Sequence, residues 1–186
     1  YAKHRVKQGS DVALKNYFKT KHQMDVTIPQ GYQLRLDTAN FVWLSFETKD
    51  ISSGIFIYTF PYEDTATFTQ DFLLSKRDSL LKLYVDGPRE TKDSYMTTEY
   101  NFIPPQFTEL MVENKYFTEI RGLWTVVNDY MGGPFIQVAR LDEARNRVVC
   151  FDGYVYNPGG DKRKLVRHLE AIAYMIDFPK DSLDEK

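Results

Sequence analysis

Two arginines, Arg121 in "EIRGLW" and Arg140 in "PFIQVARL", lie on strand-like segments joined by the break 128–133. If Val127 pairs with Pro134 across that break, Arg121 falls opposite Arg140. Like charges directly opposed across strands are destabilising unless something answers them. One answer is an anionic ligand held between two guanidinium forks. The other is a charge ladder in which Glu119 and Asp152 neutralise the arginines, and this salt-bridged version is preferred. Alternation places Asp152 and Tyr154 of "RVVCFDGYVY" in the same set as the arginines. Tyr130 and Met131 stand at the tip of the break, where a turn rarely needs two large side chains. The candidate ligand-binding residues are therefore Arg121, Arg140, Asp152, Tyr154, Tyr130 and Met131.

Other chemistry is sparse. "NPGGDKRK" joins a strand to a helix start through two glycines, as a phosphate cradle does. It lacks P-loop spacing, and Asp161 would repel an anion. There is no HExxH, no GxSxG and no paired Cys or His at metal spacing. His4, His22 and His168 are far apart, so no metal site, cofactor or catalytic residue is assigned. Glu63, Asp64 and Asp152 could supply a hydrolytic carboxylate pair, as could the acids of any domain this size. The single cysteine, Cys150, excludes an internal disulfide. A net charge of -2 over 186 residues argues against a nucleic-acid partner gripped through phosphates. No apolar run approaches the ~18 residues of a membrane span.

The elements that must position these residues read as α+β. A helix is expected over 10–21 with Ser10 or Asp11 as cap. Strands follow in "NFVWLSFET" and "GIFIYTFPY", the second apolar on both alternating sets and hence covered on both faces. A helix over 65–83 carries a stripe of Phe68, Phe72, Leu73, Leu80 and Leu83. Leu74 and Leu81 lie off that stripe, free to meet another element. A short strand near 95–99 and a β-meander over 107–156 come next. In the meander's break, Gly132 and Gly133 are expected to supply positive φ. Trp124 and Phe151 fall in one clean apolar set and are read as core. A last helix over 162–178 is capped by Asp161. The expected architecture is a mainly antiparallel sheet with helices packed on it, resembling an α/β/α sandwich.

Residues 1–23 carry six Lys or Arg and one Asp, and the remainder carries 18 basic and 25 acidic residues. This suggests three parts: a basic helical end of an upstream segment (1–23), a single α+β domain (24–178) and an acidic tail (179–186). The chain opens on Tyr1 and is read as a fragment of a longer protein.

Several stretches together resemble a domain-of-unknown-function family of predicted Bacteroidetes lipoproteins. They are "GIFIYTFPYEDTATFTQDFLLSKRDSLLK", "YMTTE", "EIRGLW", "DYMGGPFIQVARLDEARNRVV" and "DKRKLVRHLEAIAY". The likeness runs from about Met24 to Ile176, and the chain would be the C-terminal half of such a protein. The resemblance implies a cell-envelope location, facing the periplasm or on the outer membrane. It implies membrane attachment only through a lipid anchor upstream. The partners expected are the upstream half of the same protein and an envelope protein or glycan. It carries no activity and no functional residues. A looser likeness of element order is to the PsbP/Mog1-type sandwich. The leading expectation is a non-catalytic binding domain. The alternative is an envelope hydrolase using acidic residues in a cleft completed by the upstream half.

Overall fold

The computed structural model describes residues 9–88 and 92–179. The basic start over 1–8 and the acidic tail from 180 onward lie outside the described residues. Eight strands form one sheet: β1 (Gln33–Asp37), β2 (Phe41–Glu47), β3 (Ser52–Pro61), β4 (Met96–Glu99), β5 (Gln106–Val112), β6 (Lys115–Val126), β7 (Gly132–Asp142) and β8 (Arg147–Tyr156). Their order is β1-β2-β3-β8-β7-β6-β4, with β5 also paired to β6, and every pairing is antiparallel. The helices are α1 (Val12–Tyr17), α2 (Gln70–Tyr84) and α3 (Arg163–Ala173). The α+β expectation holds, and neighbouring strands are consecutive in the chain except where β8 lies beside β3 and β4 beside β6.

Two buried clusters lie on opposite faces of the sheet. One gathers α1 and α3 over Val42, Leu44, Ile55, Ile57, Ile136, Val138, Val149 and Phe151. The other gathers α2 over Phe41, Phe56, Tyr58, Ile120, Trp124, Phe135, Cys150 and Tyr154. β3 and β8 are buried almost throughout, which is why both their alternating sets are apolar. Trp124 and Phe151 are both core, as expected, but on opposite faces. Phe18 is fully buried in the same cluster as Met24, Val26 and Ile28. α1 therefore packs onto the common core through the partly buried Leu14 and Tyr17, and Phe18 just after it is inserted fully.

Local chemistry explains most element ends. Asp11 caps α1 through its carboxylate and the Leu14 amide, and the chain then winds one π-helical stretch, Phe18–His22, before Gln23 stops it in the left-handed region. The expected helix over 65–83 divides at Thr69. Asp64 caps a 3-10 turn, Thr65–Phe68, in a reciprocal capping box with Thr67, and α2 begins at Gln70. The stripe read for this helix is corrected in part. Leu74 and Leu81 are buried against the sheet with Leu73, whereas Leu83 faces solvent. The two leucines therefore offer no free surface to an upstream segment. The last helix ends at Ala173, because residues 174–178 leave it to form the Asp25–Asp177 bridge with the start of the fold.

The Gly132-Gly133 pair serves close approach rather than turn geometry. The left-handed residue of the β6–β7 connection is Asn128, φ 61°. A Cβ on Gly133 would lie 2.1 Å from the Val155 carbonyl oxygen, and one on Gly132 2.8 Å from that of Trp124. Trp124 Nε1 donates to the same Val155 carbonyl at 3.2 Å. Trp124→Ala is expected to cost about 3–5 kcal/mol by urea unfolding, since it empties a buried site that rigid strands cannot refill.

Candidate functional site

The residues singled out from sequence separate into two groups. Arg121 and Arg140 do share a face, that of α1 and α3. They are not opposite each other, because Leu123 rather than Val127 pairs with Pro134 and Arg121 faces Ile136. Arg121 Nε donates to Glu119 Oε1 at 2.5 Å, and its Nη2 to Glu170 Oε1 at 2.9 Å. The Arg140 guanidinium lies between the Phe117 and Phe178 rings, 4.9 and 4.7 Å from their centroids, and donates to the Ile176 carbonyl at 2.5 Å. Burial lowers its pKa, against the opposing pull of Asp177. Its work is to fasten residues 174–178 to the sheet.

Asp152 and Tyr154 lie on the other face, beneath α2, so the expected four-residue group does not assemble. Tyr154 is a core ring. It stacks on Phe56 at 5.1 Å, meets Trp124 edge-on at 5.7 Å and accepts from Trp43 Nε1 at 3.3 Å. Its ring lies over Gly54, where a Cβ would come within 2.1 Å of it. Asp152 is fully buried and accepts from Arg77 Nε at 2.5 Å. Arg77 reaches from α2, stands 3.8 Å over the Phe135 ring, and donates to Thr98 Oγ1 at 2.8 Å. Thr98 in turn donates to Asp78, which also accepts from Tyr100. Burial raises the Asp152 carboxyl above its ordinary value, the charge of Asp78 adds to this, and Arg77 opposes it. Tyr130 at the β6–β7 tip is fully exposed, while Met131 packs partly against the α2-side core.

A cavity that sequence did not single out lies at one end of the sheet, where β3, β5 and β7 finish and β6 and β8 begin. Its volume is about 510 Å³, and its lining includes Tyr62, Phe68, Glu109, Met111, Tyr116 and Glu143. Each wall has a local cause. The capping box at Asp64 turns the chain out of β3 and sets Phe68 against the sheet end. The β5–β6 hairpin turns on Glu113 and Asn114, both left-handed at φ 52° and 61°, the geometry of a tight two-residue connection. Its register pairs Met111 with Tyr116 on the α2 face. Phe68 stands at the centre, 6.0 Å from Tyr62 and 5.6 Å edge-on from Tyr116. Tyr116 donates to Glu109 at 2.7 Å. Burial first, then the Glu109 hydrogen bond and charge, push this phenol up to about 12, so it remains a donor at neutral pH. Met111 is 67% exposed and Tyr116 39%, so the mouth offers apolar surface to solvent.

Of the three carboxylates considered for hydrolysis, two are engaged elsewhere and Glu63 is exposed. Asp64 accepts from the Ala66 amide as a cap, and Asp152 is sealed under α2. No group of His, Cys, Asp and Glu among the described residues could hold a metal ion. At the other candidate loop, Asp161 accepts from the Arg163 amide and Lys162 donates to the Gly160 carbonyl. The start of α3 is thus occupied by its own chain.

A family model described as "Domain of unknown function (DUF4837)" matches residues 11–175. Comparison with curated proteins gives no match. Among solved structures, a point mutant of the protein Mog1 superposes with a TM-score of 0.52 at 9% identity, covering 87% of this chain and 93% of that one. The Saccharomyces cerevisiae Ran-binding protein Mog1p gives 0.51 at 8% identity, covering 84% and 90%. At such identities the likeness is one of fold.

Neutralising Asp152 leaves the fully buried Arg77 guanidinium with only its longer, 3.5 Å contact to Asp78. Asp152→Asn is therefore expected to lose about 3–5 kcal/mol by urea unfolding. The combined Arg77→Met and Asp152→Leu replacement should recover most of that loss, because neither fully buried charge remains and the partly exposed Asp78 keeps Thr98 and Tyr100 as donors.

Proposed function

The chain belongs to the DUF4837 family of unknown function, and from that premise we propose that it is a non-catalytic binding domain of a cell-envelope lipoprotein. The observation that carries the binding half of this reading is the sheet-end cavity. It opens apolar side chains, Met111 and Tyr116, beside uncompensated carboxylates, without a convergent set of acid, base and nucleophile. The fold is compatible with such a role, since one protein that shares it is described as binding Ran. Ran itself is not carried over at 8% identity. The lipoprotein half rests on the likeness of the quoted motifs to predicted lipoproteins. In this reading the protein reaches the membrane only through a lipid on an upstream cysteine, and the cavity receives another envelope protein.

Two measurements check the two halves separately. A photo-crosslinking residue in place of Met111, in the full-length protein in its own cells, should give a discrete adduct. The same residue in place of Lys49, at the opposite end of the sheet, should give none. Equal labelling at both positions, or none at Met111, would remove the cavity from the argument. Labelled palmitate should appear in the mature full-length protein and disappear when its upstream cysteine is replaced; an unlabelled, freely soluble protein would end the lipoprotein half.

A further inference from the structure

We propose that the cup formed by Tyr62, Phe68 and Tyr116 takes a cationic side chain, a lysine ammonium or arginine guanidinium, of a partner polypeptide. This rests on the binding reading above and names what is bound.

Tyr62, Phe68 and Tyr116 line one opening, and an aromatic ring is electron-rich on its face and electropositive at its edge, so a cation is drawn to whichever faces it can reach. A cation within about 6 Å of such ring centroids is attracted by their quadrupoles, the more so when several rings share it. Phe68 is the buried member, with the Tyr62 and Tyr116 rings 6.0 and 5.6 Å from it and their planes inclined to it by 47° and 82°. The lining also holds two carboxylates, Glu109 and Glu143. Among the described residues neither is in an ion pair with a lysine or arginine. Glu109 accepts only from the Tyr116 hydroxyl, a neutral donor that leaves its charge uncompensated. Glu63 and Asp64 stand exposed on the same connection and extend the negative field.

The cations in the lining are spent. The Lys115 amine sits 3.0 Å from both oxygens of Asp177. Arg140 is held by two rings and the Ile176 carbonyl. An anion would have to displace these contacts, whereas a cation finds rings and carboxylates ready. Arg140 itself, between Phe117 and Phe178, is an internal example of the same chemistry satisfied by the chain's own residue. The mouth fits a side chain rather than a free ion. Met111 and the Tyr116 ring would line the aliphatic stem of a lysine, which seeks apolar cover while its charge goes deeper.

The test uses three small probes of one shape on the full chain, followed by NMR of the Tyr62, Phe68 and Tyr116 ring resonances. Nα-acetyl-lysinamide carries the charge, Nα-acetyl-norleucinamide removes it, and Nα-acetyl-argininamide replaces it. The two cations should shift the three rings together and bind at least about fivefold more tightly than norleucine. Tyr116→Ala should erase that preference. Glu109→Gln with Glu143→Gln should reduce it and increase nothing else, and all variants should keep the wild-type spectrum outside the cup. Norleucine binding as tightly as lysine would overturn the cationic assignment and leave the binding reading standing. No shift with any probe would also overturn it. Crosslinking at Met111 judges the binding reading independently of both results.

Discussion

The ion pair between Arg77 and Asp152 fixes how the two halves of this molecule meet. A guanidinium and a carboxylate, both withdrawn from water, must find each other or neither can stay. Arg77 extends from the middle of α2, and Asp152 stands on β8 near the centre of the sheet. Apolar packing alone would let a helix slide or rotate over a sheet at modest cost. The buried contact with Asp152, reinforced by Asp78 at 3.5 Å from the same guanidinium, restricts that freedom. Around it the remaining polar groups fall into place: Thr98 brings β4 to the guanidinium, and Asp78 ties the backbone of β4 to the helix. Gln137 on β7 donates to the Tyr58 hydroxyl on β3, across the intervening β8. The position of α2 then determines where the chain before it, with Phe68, meets the sheet end.

Much of the fold was legible because hydrophobic period and capping agreed. The apolar runs of β2, β3 and the meander, the Ser10 or Asp11 cap and the helical patterns over 65–83 and 162–178 all pointed to one antiparallel sheet with helices packed on it. The phase of β8 was not legible. From Val148 to Val155 every side chain is buried, so alternation gives no inside and outside to read. Assigning Phe151 to the face of Trp124 shifted Asp152 and Tyr154 to the wrong side as well. The β6–β7 register shifted by four residues for a different reason: the connection is wider than a tight turn, and an even shift leaves faces unchanged. The expected stripe of α2 missed Leu74 and Leu81 because Arg77, a charged residue, occupies the centre of the buried face and hides it from any apolar count.

The candidate site was less legible than the fold. Its residues come from three stretches, around 62–68, 109–116 and 140–143, in which Arg140 and Phe68 drew notice for other reasons and nothing linked one stretch to another. Tyr62 and Phe68 looked like strand end and helix stripe, and Tyr116 like another strand aromatic. What assembles them is the meeting of strand ends, a product of sheet order rather than of any local motif. The one sequence signal was compositional: aromatic residues are 15% of the chain, more than a core of this size requires. That surplus says that rings reach the surface, and only the topology says where.

The two-residue connection at Glu113 and Asn114 makes one side of the cavity an all-or-none feature. Side chains on paired strands keep a period of two, so hairpin length can change in only one way without reversing faces. An insertion of one residue in β5 would carry Glu109 and Met111 to the α3 side and bring Leu110 and Val112 into the opening. Relatives that diverge here would therefore either retain the present pair of walls or present a different surface altogether. Graded drift is available at Met111 and Glu143, whose side chains can vary in place. It is closed to the hairpin's length, and homologues should show substitution there far more often than insertion or deletion.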